Sequence, residues 1–191
     1  MQAIVLNTRY ALRFFLALAI AFAFFTPVYA DAAADKKAID PLFIQLKNAP
    51  DAATARTIVS QIWYHWFTPS DPALASRMRV VLAAREAGDL TEAIQLADDL
   101  IKDYPDYAEG WNQRATMNYM AHEFDASLAD IEKTLALEPR HFGALSGRAM
   151  IYLAQNKRAL ALKDIIAALA INPFLAEKSL FPELMQDITR I

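Results

Sequence analysis

The 191-residue chain contains no cysteine, so it has no disulfide, thiolate metal site, cysteine nucleophile or lipidated cysteine. Only four residues are glycine, which argues against a glycine-rich phosphate loop and against a fold built of many tight β turns. No basic tract is present: 19 Lys and Arg stand against 22 Asp and Glu. Without clustered cations there is little to neutralise a phosphate backbone or an anionic bilayer, so nucleic acid and lipid surfaces are poor partners. Histidine occurs only at His65, His122 and His141, with no HExxH or i, i+4 pair, and no Gly-x-Ser-x-Gly elbow occurs. The sequence therefore implies no catalytic residue, cofactor or metal.

What the chain has in excess is apolar residues, 55% against a usual share of about 45–50%. Part of that excess is local. Arg9 and Arg13 precede an unbroken apolar run from Phe14 to Phe25, closed by Thr26-Pro27 and followed by Val28-Tyr29-Ala30. A cationic start, a short apolar stretch and small residues at the cleavage positions describe a secretory signal, here residues 1–30, cleaved after Ala30. Twelve apolar residues fall short of the roughly 20 that span a bilayer as a helix, which disfavours a retained anchor. The expected location is the periplasm or the medium, with membrane contact only through the signal before cleavage. Without Arg9 and Arg13 the remainder carries 17 basic and 22 acidic residues, a mildly acidic protein.

The rest of the excess is periodic. Pro105, Pro139 and Pro173 are spaced 34 residues apart, each closing a helical apolar pattern. Aligned without gaps, blocks beginning at Leu74, Ala108 and Phe142 match Trp111 to Leu145, Arg114 to Arg148, Ala115 to Ala149, and Asp130-Ile131 to Asp164-Ile165. Each block holds two helical runs separated by a polar break, at Gly88-Asp89, His122-Glu123 and Asn156-Lys157. Small residues at Ala93, Ala115, Ala149 and Ala161 mark close helix contacts. Recurrent Arg114/Arg148 and Asp130/Asp164 read as scaffold pairs between helices. Each proline lacks an N–H and clashes with the preceding turn, so it ends the second helix.

These blocks resemble tetratricopeptide repeats, 34-residue helix–turn–helix units. The third, Leu145-x-x-Arg148-Ala149-x-x-Tyr152 through Ala161, Ile165, Ala168 and Pro173, carries nearly the whole motif. The second departs at Arg114 and places its tyrosine, Tyr119, one position late. The first keeps only its later half, Gly88-Asp89 to Ala93 and Pro105. The implied fold is all-α: a solenoid of three repeats, 71–107 (degenerate), 108–141 and 142–175. A loose segment at 31–39 and an N-terminal helical pair at 40–70 precede it, and a C-terminal cap at 176–191 follows. Within that pair, Asp40-Pro41 reads as a cap and first turn, and the stripe Ile58, Ile62, Trp66, widened by Val59 and Trp63, is expected to cover the first helix of repeat one.

The resemblance also implies a concave groove lined by the first helix of each repeat. Its inner positions here are Met78, Leu82 and Arg85; Asn112, Thr116, Tyr119 and Met120; and Ser146, Met150 and Leu153. An amide and several methionines among them suit an extended peptide, since the amide offers both donor and acceptor and methionine adapts to irregular shapes. Met78, Leu82, Gly143 and Gly147 stand where a carboxylate-clamping groove carries Lys and Asn, which disfavours that subtype. Tyr64, His65 and Phe67, beside the predicted stripe, form a second candidate interface. The function implied is a non-catalytic exported adaptor for a protein or peptide. A self-associating subunit, its groove filled by its own chain or by a second copy in a homodimer, stays open, as does an enzyme built on the N-terminal region.

Overall fold

A computed structural model describes residues 28–184, with side chains from Asp35 onward. The charged start and apolar run at 1–27 lie outside the described residues. Eight α-helices follow in the order α1 (Val28–Lys47), α2 (Ala52–Phe67), α3 (Pro72–Glu86), α4 (Leu90–Asp103), α5 (Ala108–Met120), α6 (Phe124–Leu137), α7 (Phe142–Ala154) and α8 (Arg158–Ile171). Two short 3₁₀ helices, Ala176–Leu180 and Pro182–Leu184, complete the described chain.

The helix boundaries have local causes. Asp51, Asp71 and Asp89 each accept a backbone N–H of the first turn of α2, α3 and α4, and Pro72 takes the first position of α3, where its missing N–H costs nothing. At the other end of each repeat's first helix the same motif recurs. Gly88, His122 and Asn156, 34 residues apart, are left-handed with φ of 81°, 62° and 58°. The following residue's N–H bonds back to the carbonyl five residues earlier: Asp89 to Ala84, Glu123 to Asn118, Lys157 to Tyr152. This double-bonded C-terminal cap favours glycine, which only the first repeat supplies. His122→Gly should therefore stabilise the protein by about 1 kcal/mol, and His122→Val should destabilise it, as read by urea unfolding.

Packing runs through successive pairs, α3 with α4, α5 with α6 and α7 with α8, and α4 and α6 also contact the next repeat's first helix. Ala93, Ala115, Ala149 and Ala161 are all buried at the helix crossings. The Arg–Asp recurrence closes as paired scaffold. Arg114 donates to both carboxylate oxygens of Asp130 at 2.9 and 2.6 Å, and Arg148 does the same to Asp164 at 2.7 Å each. These hydrogen bonds raise both guanidinium pKa values above the ordinary arginine value, against the opposing effect of burial.

Three features depart from the sequence reading. First, residues 31–39 are not loose: they lie within α1, which continues through Pro41. The backbone bond that proline forfeits is offset by a face of Ile39, Phe43 and Leu46 buried in the core, and by Asp40 paired with Arg140 at 2.7 Å. Second, the Ile58–Ile62–Trp66 stripe does not cover repeat one. It joins Phe142, Leu145, Ala149 and Ile165 in the largest core cluster, so the α1–α2 hairpin folds back over the third repeat. Only Phe67 packs against the repeat-one cluster around Leu74 and Met78. Third, residues 185–191 of the C-terminal cap lie outside the described residues, and its described part, up to Leu184, is built not of an α-helix but of the two 3₁₀ helices. They bury Phe181 completely beneath Arg158, whose guanidinium also grips Glu183.

Candidate binding cleft on the first-helix face

The reason for the fold-back is visible at Gly143. A Cβ there would sit 2.7 Å from Trp63 Cη2 and 2.9 Å from Cζ2, so the indole occupies the space that any side chain would take. One turn further along α2, Trp66 lies flat on His141, ring centroids 4.0 Å apart and planes at 5°. Trp63 meets the same imidazole edge-on at 5.6 Å and stacks on Phe67 at 5.3 Å. Arg140 adds a third tie, its guanidinium 4.2 Å above the Phe43 ring while it grips Glu138. Burial raises the Glu138 carboxyl, but the Arg140 hydrogen bonds outweigh it and hold that group below the usual glutamate value.

His141 belongs to a polar chain that runs across all three repeats. Its Nδ1 accepts the Ala144 N–H at 3.0 Å, capping α7, so its Nε2 carries the hydrogen and donates to Glu109 Oε2 at 2.8 Å. Glu109 Oε1 accepts from Asn112 at 3.0 Å and from Gln113, and the Gln113 carbonyl accepts from Arg85 on α3. Glu109 and His141 are 1% and 0% exposed, so this chain is internal structure. No motif in the sequence points to Glu109, and His141 stands out there only as one of three histidines without metal-ligand spacing. Their one legible signal is position: Glu109 is the second residue of α5 and His141 the residue that caps α7, each at the start of a repeat's first helix.

Between α2 and the first helices lies an open cleft of about 470 Å³. Arg56, Val59 and Trp63 form one wall, Asn112, Thr116, Ser146 and Met150 the other, and the turn from Asn172 to Glu177 closes the end. Of the ten groove positions, these four, on α5 and α7, line the cleft. Asn112 and Ser146 are nearly buried, their side chains committed to Glu109 and to the Phe142 carbonyl.

The other six do not line it. Met78 is core, 0% exposed, because the degenerate first repeat places it against Val81, Leu100 and Met117. Leu82 packs against the same cluster. Arg85 is held by Gln113, and Tyr119 packs against Phe124 at 5.8 Å. Leu153 packs on the third-repeat core, while Met120 is 49% exposed at the end of α5. Of the second candidate surface, Tyr64 is 64% exposed, His65 is half-buried beside it, and Phe67 is partly buried on Trp63.

No family model matches the chain. A TPR repeat-containing protein of Rhizobium etli is 38% identical over 128 residues, which cover 67% of this chain and 63% of that protein. The chain thus spans less than two thirds of that relative's length. Among solved structures, the TPR2AB domain of yeast Sti1 in complex with pHSP90 has a similar fold, with a TM-score of 0.52 at 20% identity over 83% of this chain and 63% of that one. MamA gives 0.48 at 20% identity over 72% of this chain and 84% of that one. The 34-residue helix pairs and the likeness to the Rhizobium etli protein put the chain in one class: it is a tetratricopeptide-repeat protein.

Proposed function

We propose that this protein is a non-catalytic adaptor, exported to the periplasm or the medium, that holds an extended segment of a protein partner in the cleft between α2 and helices α5 and α7. The observation that carries this reading is the cleft itself. It is open, about 470 Å³ in volume, and walled by the apolar Val59, Trp63 and Met150, with Arg56 and Thr116 supplying polar groups. That mixture suits a peptide, whose backbone needs donors and acceptors while its side chains need apolar contact. The class of partner is supported by the yeast Sti1 domain of similar fold, solved in complex with pHSP90. Export is supported by Arg9, Arg13 and the apolar run to Phe25, which lie outside the described residues.

The test is capture from envelope extract, comparing the wild-type protein with Thr116→Tyr/Met150→Tyr. Both positions are partly exposed and line the cleft, so the added rings fill it without disturbing the core. Asn112→Ala is a poorer probe, since it also strips a donor from buried Glu109. We expect a partner retained by the wild type and lost by the double variant at unchanged melting temperature.

A second reading is favoured by Trp63 seated on Gly143: the array's first-helix face is partly filled by its own chain. In that reading the protein is a structural subunit that needs no peptide. An identical captured set for both proteins would select it.

A further inference from the structure

A second cavity, of about 300 Å³, lies where the N-terminal hairpin meets the loop edge of the array, and it shares no lining residue with the cleft. Its walls are largely aromatic and apolar: Trp66 from α2, Tyr104 and Tyr107 from the corner between the first two repeats, and Leu74 and Leu137 from α3 and α6. Pro69 and Pro105 stiffen the two turns that frame it.

Its lining is strongly one-sided in charge. Asp35, Asp71, Asp103, Asp106, Glu138 and the buried Glu109 line it, with Lys36 as the only lysine or arginine among them and His65 beside it. Arg77 pairs with Asp103, and Arg140 with Glu138, from alongside. Six carboxylates against those three cations leave a net negative lining. Asp106 is exposed and has no hydrogen bond or ion pair among the described residues. The interior registers the same field: burial raises the Tyr107 hydroxyl well above its ordinary pKa, and the charges of Glu109 and Asp35 raise it further.

The protein already uses this chemistry on itself. Arg77 lies 5.7 Å from the centre of the Tyr104 ring while it pairs with Asp103, so a guanidinium rests between an aromatic face and a carboxylate at the cavity's edge. An aromatic-walled hole with excess negative charge at its mouth is complementary to a cation on an apolar stem.

We propose that this cavity receives the basic side chain of a protein partner, arginine or lysine, with its stem against Trp66, Tyr107 and Leu137 and its charge at Asp106. The inference does not depend on the cleft. A partner could use both, but each has its own variants.

The experiment titrates the ¹⁵N-labelled full-length protein with N-acetyl-arginine methylamide and N-acetyl-lysine methylamide, and with the uncharged N-acetyl-norleucine methylamide. The expected result is saturable shifts at Tyr104, Asp106, Tyr107 and Leu137 for the two basic probes alone. Asp106→Asn should weaken them about three- to fivefold, the size of one partly exposed ion pair, and Thr116→Tyr/Met150→Tyr should leave them intact. Equal binding of the norleucine probe, or no saturable shift with any probe, overturns the proposal. So does putrescine binding more tightly than either basic residue, which would assign the cavity to a free amine.

Discussion

Glu109→Ala should lower the unfolding free energy by about 3–5 kcal/mol, as expected when one partner of a buried, hydrogen-bonded ionisable group is removed. The carboxylate accepts from Asn112, Gln113 and His141, and all three donors are buried with it. Deleting it strands three polar groups away from water, each costing about 1–3 kcal/mol before relaxation. The conservative replacement is informative because the network has a fixed direction. In Glu109→Gln, the amide can present its oxygen to the two side-chain amides or to His141, but not to both. Reversing the imidazole tautomer does not help, since Nδ1 must keep accepting from the Ala144 N–H. Glu109→Gln should therefore cost about 1–3 kcal/mol. Urea unfolding of both variants checks this, and a Gln variant as stable as wild type would mean that His141 does not donate to position 109 through Nε2.

Trp66→Ala is the second large effect, also about 3–5 kcal/mol. The indole touches Phe43, Trp63, His141 and Phe142, and its own backbone carbonyl accepts the Tyr107 hydroxyl. Its loss leaves a void where the hairpin meets the third repeat. The effect should be concentrated in the hairpin, because α5 to α8 retain their own Arg–Asp pairs and alanine crossings. Hydrogen exchange should show α2 amides losing protection while those of α6 and α7 keep most of theirs. Uniform loss across all helices would instead mean that hairpin and array unfold as one unit. Either result bears on function, since α2 forms one wall of the cleft.

These two residues also mark how far a sequence carries. The array was legible because its causes are local and repeated. Prolines 34 apart each follow the end of a repeat's second helix, alanines at fixed positions allow close crossings, and Arg114 and Arg148 stand at one repeat position with Asp130 and Asp164 at another. Each repeat carries the same instruction, so errors at single positions average out. Met78 shows the weakness of a register taken from one degenerate block: a position that faces the groove in an intact repeat turns into the core when its neighbours change.

The amino-acid sequence by itself determined the all-α class, the three repeats, their turns and the scaffold pairs, because helix propensity, capping and periodicity act over a few residues. Only the tertiary structure decided where the N-terminal hairpin goes. The same apolar stripe could have covered repeat one or repeat three. The choice fell to contacts between residues far apart in the chain: Trp63 in the space left by Gly143, Trp66 on His141, Arg140 over Phe43. No periodic pattern encodes such pairings. They depend on shapes that exist only after the repeats have stacked, and both the cleft and the acidic cavity are bounded by the hairpin they hold in place.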